Sequence, residues 1–292
     1  ADNLETGAYP GPVRHLLGEM TAAAVLMQSN IKFNGALVMQ IFGDGPLKLA
    51  VVEVNPNLSL RATAKVVGNL GEASTLPEMV NVNNEGRCAI TLDPLNKMPG
   101  QQAYQGVVPL FDDQRNKLDK FSDVLQHYML QSEQLDTTLV LAANDTTAAG
   151  LLIQRLPIKG EGNLAAKASM EDEDEIGRNE DYNRISILAA SLTADELLNL
   201  DAETILRRLF WEEKLVRFEP LTPSFACSCS RERVSNMIRS LGTEEVESIL
   251  AERGNVEVGC DFCGQQYHYD AVDAAHIFTS TDAQPPAPSS LH

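Results

Sequence analysis

The chain has 292 residues, with 23 basic against 41 acidic side chains for a formal charge of −18, and 43% of its residues are hydrophobic. That length suits two domains, and the apolar share is enough to build cores. The acidic excess argues against a dedicated nucleic-acid or anionic-membrane binder, which needs Lys and Arg in excess on some face. The apolar run Ala22–Met27 falls far short of the ~20 residues of a bilayer span. Ala1–Pro12 carries acid and turn formers rather than the basic region and apolar core of a secretory signal.

In chain order, Val13, Leu16, Leu17, Met20, Ala24 and Met27 recur at helical spacing, which predicts an amphipathic helix over Pro12–Ser29. The period then changes to two. Leu37, Met39 and Ile41 alternate with polar or smaller neighbours, Gly43-Asp44-Gly45-Pro46 punctuates, and Leu47, Leu49, Val51 and Val52 resume. After Asn55-Pro56-Asn57 a third run alternates through Leu58, Leu60, Ala62, Ala64 and Val66, so the segment reads as a β-meander. The Gly43–Pro46 stretch lacks the Gly-Lys-Ser/Thr ending of a phosphate loop and reads as a turn. Further strands are expected at Cys88–Leu92, Gln105–Leu110, Thr138–Ala142 and Gly150–Leu156, with a helix at Leu118–Gln131 between them. Without regular βαβ alternation, this predicts an α+β core domain over residues 1–170.

Glu171-Asp172-Glu173-Asp174-Glu175 marks a break in composition. Residues 171–222 read as an acidic helical linker: 14 acids against 6 bases give −8, yet Leu197, Leu198, Ile205, Leu206, Leu209 and Phe210 supply apolar faces that must bury against something. Thr193-Ala194-Asp195-Glu196 has the form of a capping box. Pro220 and Pro223 then separate a small unit, residues 223–281, in which one helix carries Val234, Met237, Ile238 and Leu241 and a second, N-capped by Thr243, carries Val246, Ile249 and Leu250. Residues 282–292, rich in Pro, Ser and Ala, read as a disordered tail.

Four of the five cysteines lie in that small unit, as Cys227-Ser228-Cys229 and Cys260-Asp261-Phe262-Cys263. Such pairing reads as metal binding before it reads as a disulfide framework. A unit this small buries too little to stand without a staple, and four thiolates close a tetrahedral Zn²⁺ site worth about 10–16 kcal/mol. The Cys-x-Cys spacing is short for a structural zinc site. Across it, extended chain sets the α-carbons about 6.6–7.2 Å apart, at the edge of the usual disulfide window of about 4.4–6.8 Å. An oxidation-sensitive site and an inert structural zinc both remain open on spacing alone. Thioredoxin-like catalysis by Cys260 and Cys263 is disfavoured, because Tyr267-His268-Tyr269 reads as a strand where a helix N-terminus would be needed. His268 and His276 read as surface or packing residues, and Cys88 as a small buried hydrophobe in a strand.

These residues resemble a known family, the redox-regulated heat-shock chaperones of the thirty-three-kilodalton class. The resemblance is carried by Phe225-Ala226-Cys227-Ser228-Cys229-Ser230-Arg231-Glu232-Arg233, by Leu241-Gly242-Thr243-Glu244-Glu245-Val246 and by Cys260-Asp261-Phe262-Cys263-Gly264. In the core it is carried by Gln40-Ile41-Phe42-Gly43-Asp44-Gly45-Pro46, Tyr104–Val108, Ser132–Leu135 and Ala149–Gln154. It implies an ATP-independent holdase of the bacterial cytoplasm and no enzymatic turnover. It further implies one Zn²⁺ per reduced chain on Cys227, Cys229, Cys260 and Cys263, and an inactive reduced monomer. On oxidation it implies Cys227–Cys229 and Cys260–Cys263 disulfides, zinc release and loosening of the linker. The partners it implies are unfolded client proteins, a second copy when oxidised, and the ATP-driven seventy-kilodalton chaperone system downstream, with no nucleic acid and no membrane. The sequence departs from the family pattern at Phe33-Asn34-Gly35, at Arg61-Ala62 and at Asp136, and the pattern has an additional segment before the position of Ala1. The contrasting reading is a structural zinc-ribbon binding module without redox switching; the stretch from Ser224 to His292, with 4 bases and 10 acids, counts against a nucleic-acid version of it.

Overall fold

In the computed structural model the described residues are 9–97, 100–155 and 180–279; the acidic run Glu171–Glu175 and the tail lie outside them. Helix α1 (Gly11–Asn30) opens with Pro12 in its first turn, where the missing N–H costs no hydrogen bond. It buries Val13, Leu16, Leu17, Met20 and Ala24 of the expected stripe together with Ala23, and leaves Met27 half-buried. The meander follows as β1 (Gly35–Phe42), β2 (Leu47–Val54) and β3 (Ser59–Val66), all antiparallel neighbours. A short helix α2 (Leu76–Val80), closed by a Thr75/Glu78 capping box, precedes β4 (Arg87–Pro94) and β5 (Tyr104–Pro109). Helix α3 (Phe121–Glu133) begins later than the periodicity suggests, because Phe111 bridges Lys117 and the Leu118 amide donates to Leu110, holding Leu118 extended.

β6 (Thr137–Ala143) and β7 (Ala148–Gln154) form a separate hairpin. Beyond it, α4 (Glu180–Ala190), α5 (Ala194–Asn199) and α6 (Ala202–Leu209) occupy the expected linker, and Ser224–Phe225 form β8. The main sheet has the order β5-β4-β1-β2-β3-β8, with β8 parallel to β3. Leu37, Met39, Ile41, Val52, Cys88 and Ile90 on its inner face share one core with α1 and with Phe121, Val124 and Leu125 of α3. On its other side α1 packs against the β6–β7 hairpin. The approach is close: a Cβ on Gly18 would stand 2.6 Å from that of Ala143, so only glycine lets helix and hairpin meet there.

By its contacts the chain divides into two compact units, one ending at Ala226 and one starting at Cys227. The second contains α7 (Arg231–Leu241), α8 (Thr243–Arg253), the β9 (Val256–Gly259)–β10 (Gln266–Tyr269) hairpin and α9 (Ala271–Thr279). Thr243 is the first residue of α8 rather than its N-cap. Gly242, at φ +90°, ends α7 and caps α8 in one position, which leaves no room for a separate capping residue. The core of this unit is small: Val234, Ile238, Val246, Val256, Tyr269, Ala274 and Ile277.

Candidate metal centre

Cys227 and Cys229 sit on the loop entering α7, and Cys260 and Cys263 on the turn between β9 and β10. That turn is closed by the Cys260 amide donating to the Gln265 carbonyl at 2.9 Å and the Gly264 amide donating to Cys260 at 2.8 Å. Gly264 takes φ +72°, a conformation that a side chain would strain. The loop is pinned from α7. Ser230 caps the helix by accepting from the Arg233 amide, and Arg233 reaches back to the carbonyl and hydroxyl of Ser228 at 3.0 and 2.7 Å. Arg231 lies 4.3 Å over the Tyr269 ring and donates to the His268 carbonyl and to Asp273, tying the loop to β10 and α9. The Ser230–Arg233 run thus aligns two loops of distant sequence.

The result brings all four cysteine sulfurs within 4.8 Å of one another. Sγ of Cys227 lies 3.6 Å from that of Cys260, and Sγ of Cys229 lies 3.3 Å from that of Cys263. A tetrahedron with Zn–S bonds of about 2.3 Å has edges of about 3.8 Å, so the spacing and the soft thiolate chemistry both fit zinc. Four thiols this close cannot all ionise unaided. Burial pushes Cys227 up, but the Cys229 amide and the neighbouring thiols outweigh it and bring Cys227 down to about 7. Burial and contact with the other sulfurs push Cys263 up to about 12. Cys227 therefore takes the charge at the expense of Cys260 and Cys263, a competition that a dication would remove. Tyr267, which the sequence marked only as a strand residue, lies beside the sulfur cluster, and its interaction with Cys229 pushes its hydroxyl up to about 12. His268 and His276 are exposed and stand outside the sulfur cluster. Cys88 is fully buried, its thiol pushed up to about 12 by desolvation.

The scan against protein families matches the model described as Hsp33 protein over residues 2–270. This chain belongs to the Hsp33 family. It is 46% identical over 271 residues to the 33 kDa chaperonin of Chromobacterium violaceum, covering 93% of this chain and 83% of that one. With the 33 kDa chaperonin of Methylobacillus flagellatus the identity is 40% over 284 residues, 97% of this chain and 88% of the relative. The crystal structure of the Thermotoga maritima 33 kDa chaperonin superposes with a TM-score of 0.72 at 18% identity, over 94% of this chain and 88% of that one, and shows the shared fold.

The structure distributes the apolar linker residues unevenly. Leu197 and Ile205, each 6% exposed, form a cluster with Leu192 and Ala142, and Leu198 and Leu209 pack against it. The surface they meet is the β6–β7 hairpin, through Val140, Ala142, Ala149 and Leu151, rather than the six-stranded sheet. Phe210 is buried and Leu206 half-buried, both outside this cluster. Past α6, Trp211, Val216, Phe218 and Leu221 are 74%, 73%, 83% and 67% exposed on a stretch without regular structure. No periodicity marks these four in the sequence. Their clustering within eleven residues between helix and proline was the available signal. Among the described residues no helix is long and apolar enough to cross a membrane.

Proposed function

We propose that this Hsp33-family chain is a redox-regulated, ATP-independent holdase of the cytoplasm, resting when reduced and metal-loaded. The observation that carries the reading is the gathering of four thiols at ligand distance in a unit whose buried core is seven side chains among the described residues. Cys227, Cys229, Cys260 and Cys263 would hold one Zn²⁺, which supplies charge neutralisation and the cross-links that this small core lacks. Oxidation to Cys227–Cys229 and Cys260–Cys263 disulfides consumes the ligands. Counted as thiols, each pair gives two electrons and two protons to one hydrogen peroxide, which leaves as two waters. The unit then loses its staple. The exposed Trp211–Leu221 stretch and the faces of α5 and α6 become the surface offered to unfolded clients, with a second copy and the ATP-driven seventy-kilodalton system as later partners.

The test is suppression of light scattering from a thermally unfolding client, without ATP, by reduced and by peroxide-treated protein. Suppression by the oxidised form alone supports the proposal. Equal behaviour of the two forms means that the cysteine unit is a structural zinc module without switching.

A further inference from the structure

We infer that the outer edge of β3 is a strand-accepting surface, shut in the resting chain by β8 and opened to an extended segment of an unfolded polypeptide when β8 leaves. The inference rests on the redox-switched holdase reading above. β8 is two residues long and pairs in parallel with Ser59 and Leu60. It is held by the Ser224 amide donating to Leu58 at 3.2 Å and the Ala226 amide donating to Leu60 at 3.0 Å. Further along, the Ala64 amide donates to the Tyr9 hydroxyl at 3.1 Å. Main-chain groups alternate sides along a strand, so Leu60, Ala62 and Ala64 face this edge, while Arg61, Thr63 and Lys65 face β2.

The next residue after Ala226 is Cys227, the first of the four clustered cysteines. On the other flank, residues 214–223 have no regular structure. A strand of two residues, tethered to the metal unit on one side and to irregular chain on the other, keeps its place only while the metal unit keeps its fold. Its departure leaves a long strand edge, which is a template for any extended chain. The bonds it offers are to main chain, so the surface reads no particular sequence, as clients without a fixed sequence require. The inward side chains beside it, Leu60, Ala62 and Ala64, belong to or pack against the apolar core. A second copy is the poorer occupant. Two β3 edges related by a twofold axis are antiparallel, unlike β8, and bring two rows of Arg61 and Lys65 side by side.

Amide hydrogen exchange at single-residue resolution on the full chain tests this, using reduced protein, peroxide-oxidised protein, and oxidised protein with alkylated, thiol-free, permanently unfolded ribonuclease A. Oxidation should speed exchange at Leu60 about tenfold or more, and the unfolded client should restore slow exchange at Leu60 and slow it at Ala62, the next amide on the same edge. Arg61, Thr63 and Lys65 should stay slow throughout. Edge amides unchanged by client overturn the inference, as does protection that grows with protein concentration alone, which would assign the edge to a second copy. Client scattering is measured on the same samples. If oxidised protein does not suppress it, the holdase reading fails and takes this inference with it; if suppression occurs without protection of β3, the edge inference alone is wrong. Ser224→Pro removes the donor to Leu58 and keeps all four cysteines. It should speed exchange at Leu60 in reduced, zinc-loaded protein, and unchanged exchange there contradicts the proposed role of β8.

Discussion

Replacing Leu197 with alanine should release the linker without touching the cysteines. α5 has six residues and α6 eight, and helices shorter than about 12–15 residues are marginal alone in water. Their caps are in place: Thr193 accepts from the Glu196 amide and Asp201 from the Thr204 amide. Beside an Arg208–Glu196 ion pair between them, what holds them is the cluster of Leu197, Ile205 and Leu192 on Ala142 of the hairpin. A buried Leu→Ala change costs about 2–5 kcal/mol, and about 3 kcal/mol raises the open population roughly 100-fold. Hydrogen exchange over residues 192–209 in reduced, zinc-loaded protein should accelerate accordingly, and the same sample should suppress part of a client's light scattering without oxidant. Leu206→Ala, at a half-buried position outside the cluster, serves as the comparison and should have a much smaller effect. Equal shifts for both variants, or none for either, would refute docking on the hairpin as what holds the linker.

Glu19 lines an open cavity of about 660 Å³ with His15, Glu72, Asp123 and Lys120, and burial, partly offset by Lys120, pushes its carboxyl from 4.5 to about 7. The folded state therefore holds this proton more tightly than the unfolded chain. There is no penalty below about pH 4.5, stability falls as pH rises from there to about 7, and above that the cost reaches at most about 3 kcal/mol. Glu19→Gln should raise the urea midpoint at pH 8 and leave it unchanged at pH 4; a gain equal at both would disprove the cause. Changing all four clustered cysteines to serine should abolish stoichiometric zinc and unfold the terminal unit by circular dichroism, and retained zinc would sink the ligand assignment. Tyr267→Phe removes the hydroxyl that interacts with Cys229 and should weaken zinc affinity about 10-fold in a chelator competition, an unchanged affinity showing that this hydroxyl does not tune the site.

Much of this was legible because it is local. The α1 stripe, the three-strand meander and the cysteine spacing each repeat a period that one stretch of sequence contains, and α1 and the meander appear where that period puts them. What the sequence hid is non-local. Ser224-Phe225 has no periodicity, and only the partner strand makes it β8. The apolar linker residues announced that they must bury, but nothing in them named the β6–β7 hairpin or separated Leu197 and Ile205 from Leu206. α2 is a single capped turn between loops, too short for its pattern to stand out. Tyr267 faces sulfur only because β10 returns beside the loop before α7. Thr243 lost its capping role to Gly242 because one residue serves two helices.

The most direct measurement follows zinc and activity together in one peroxide titration, with a chromophoric chelator reporting released metal and light scattering reporting client protection at each point. Zinc release, loss of the four thiols and gain of protection should rise along a single curve. Full zinc release without any gain in protection, or protection already complete while zinc and thiols are intact, would contradict the switch.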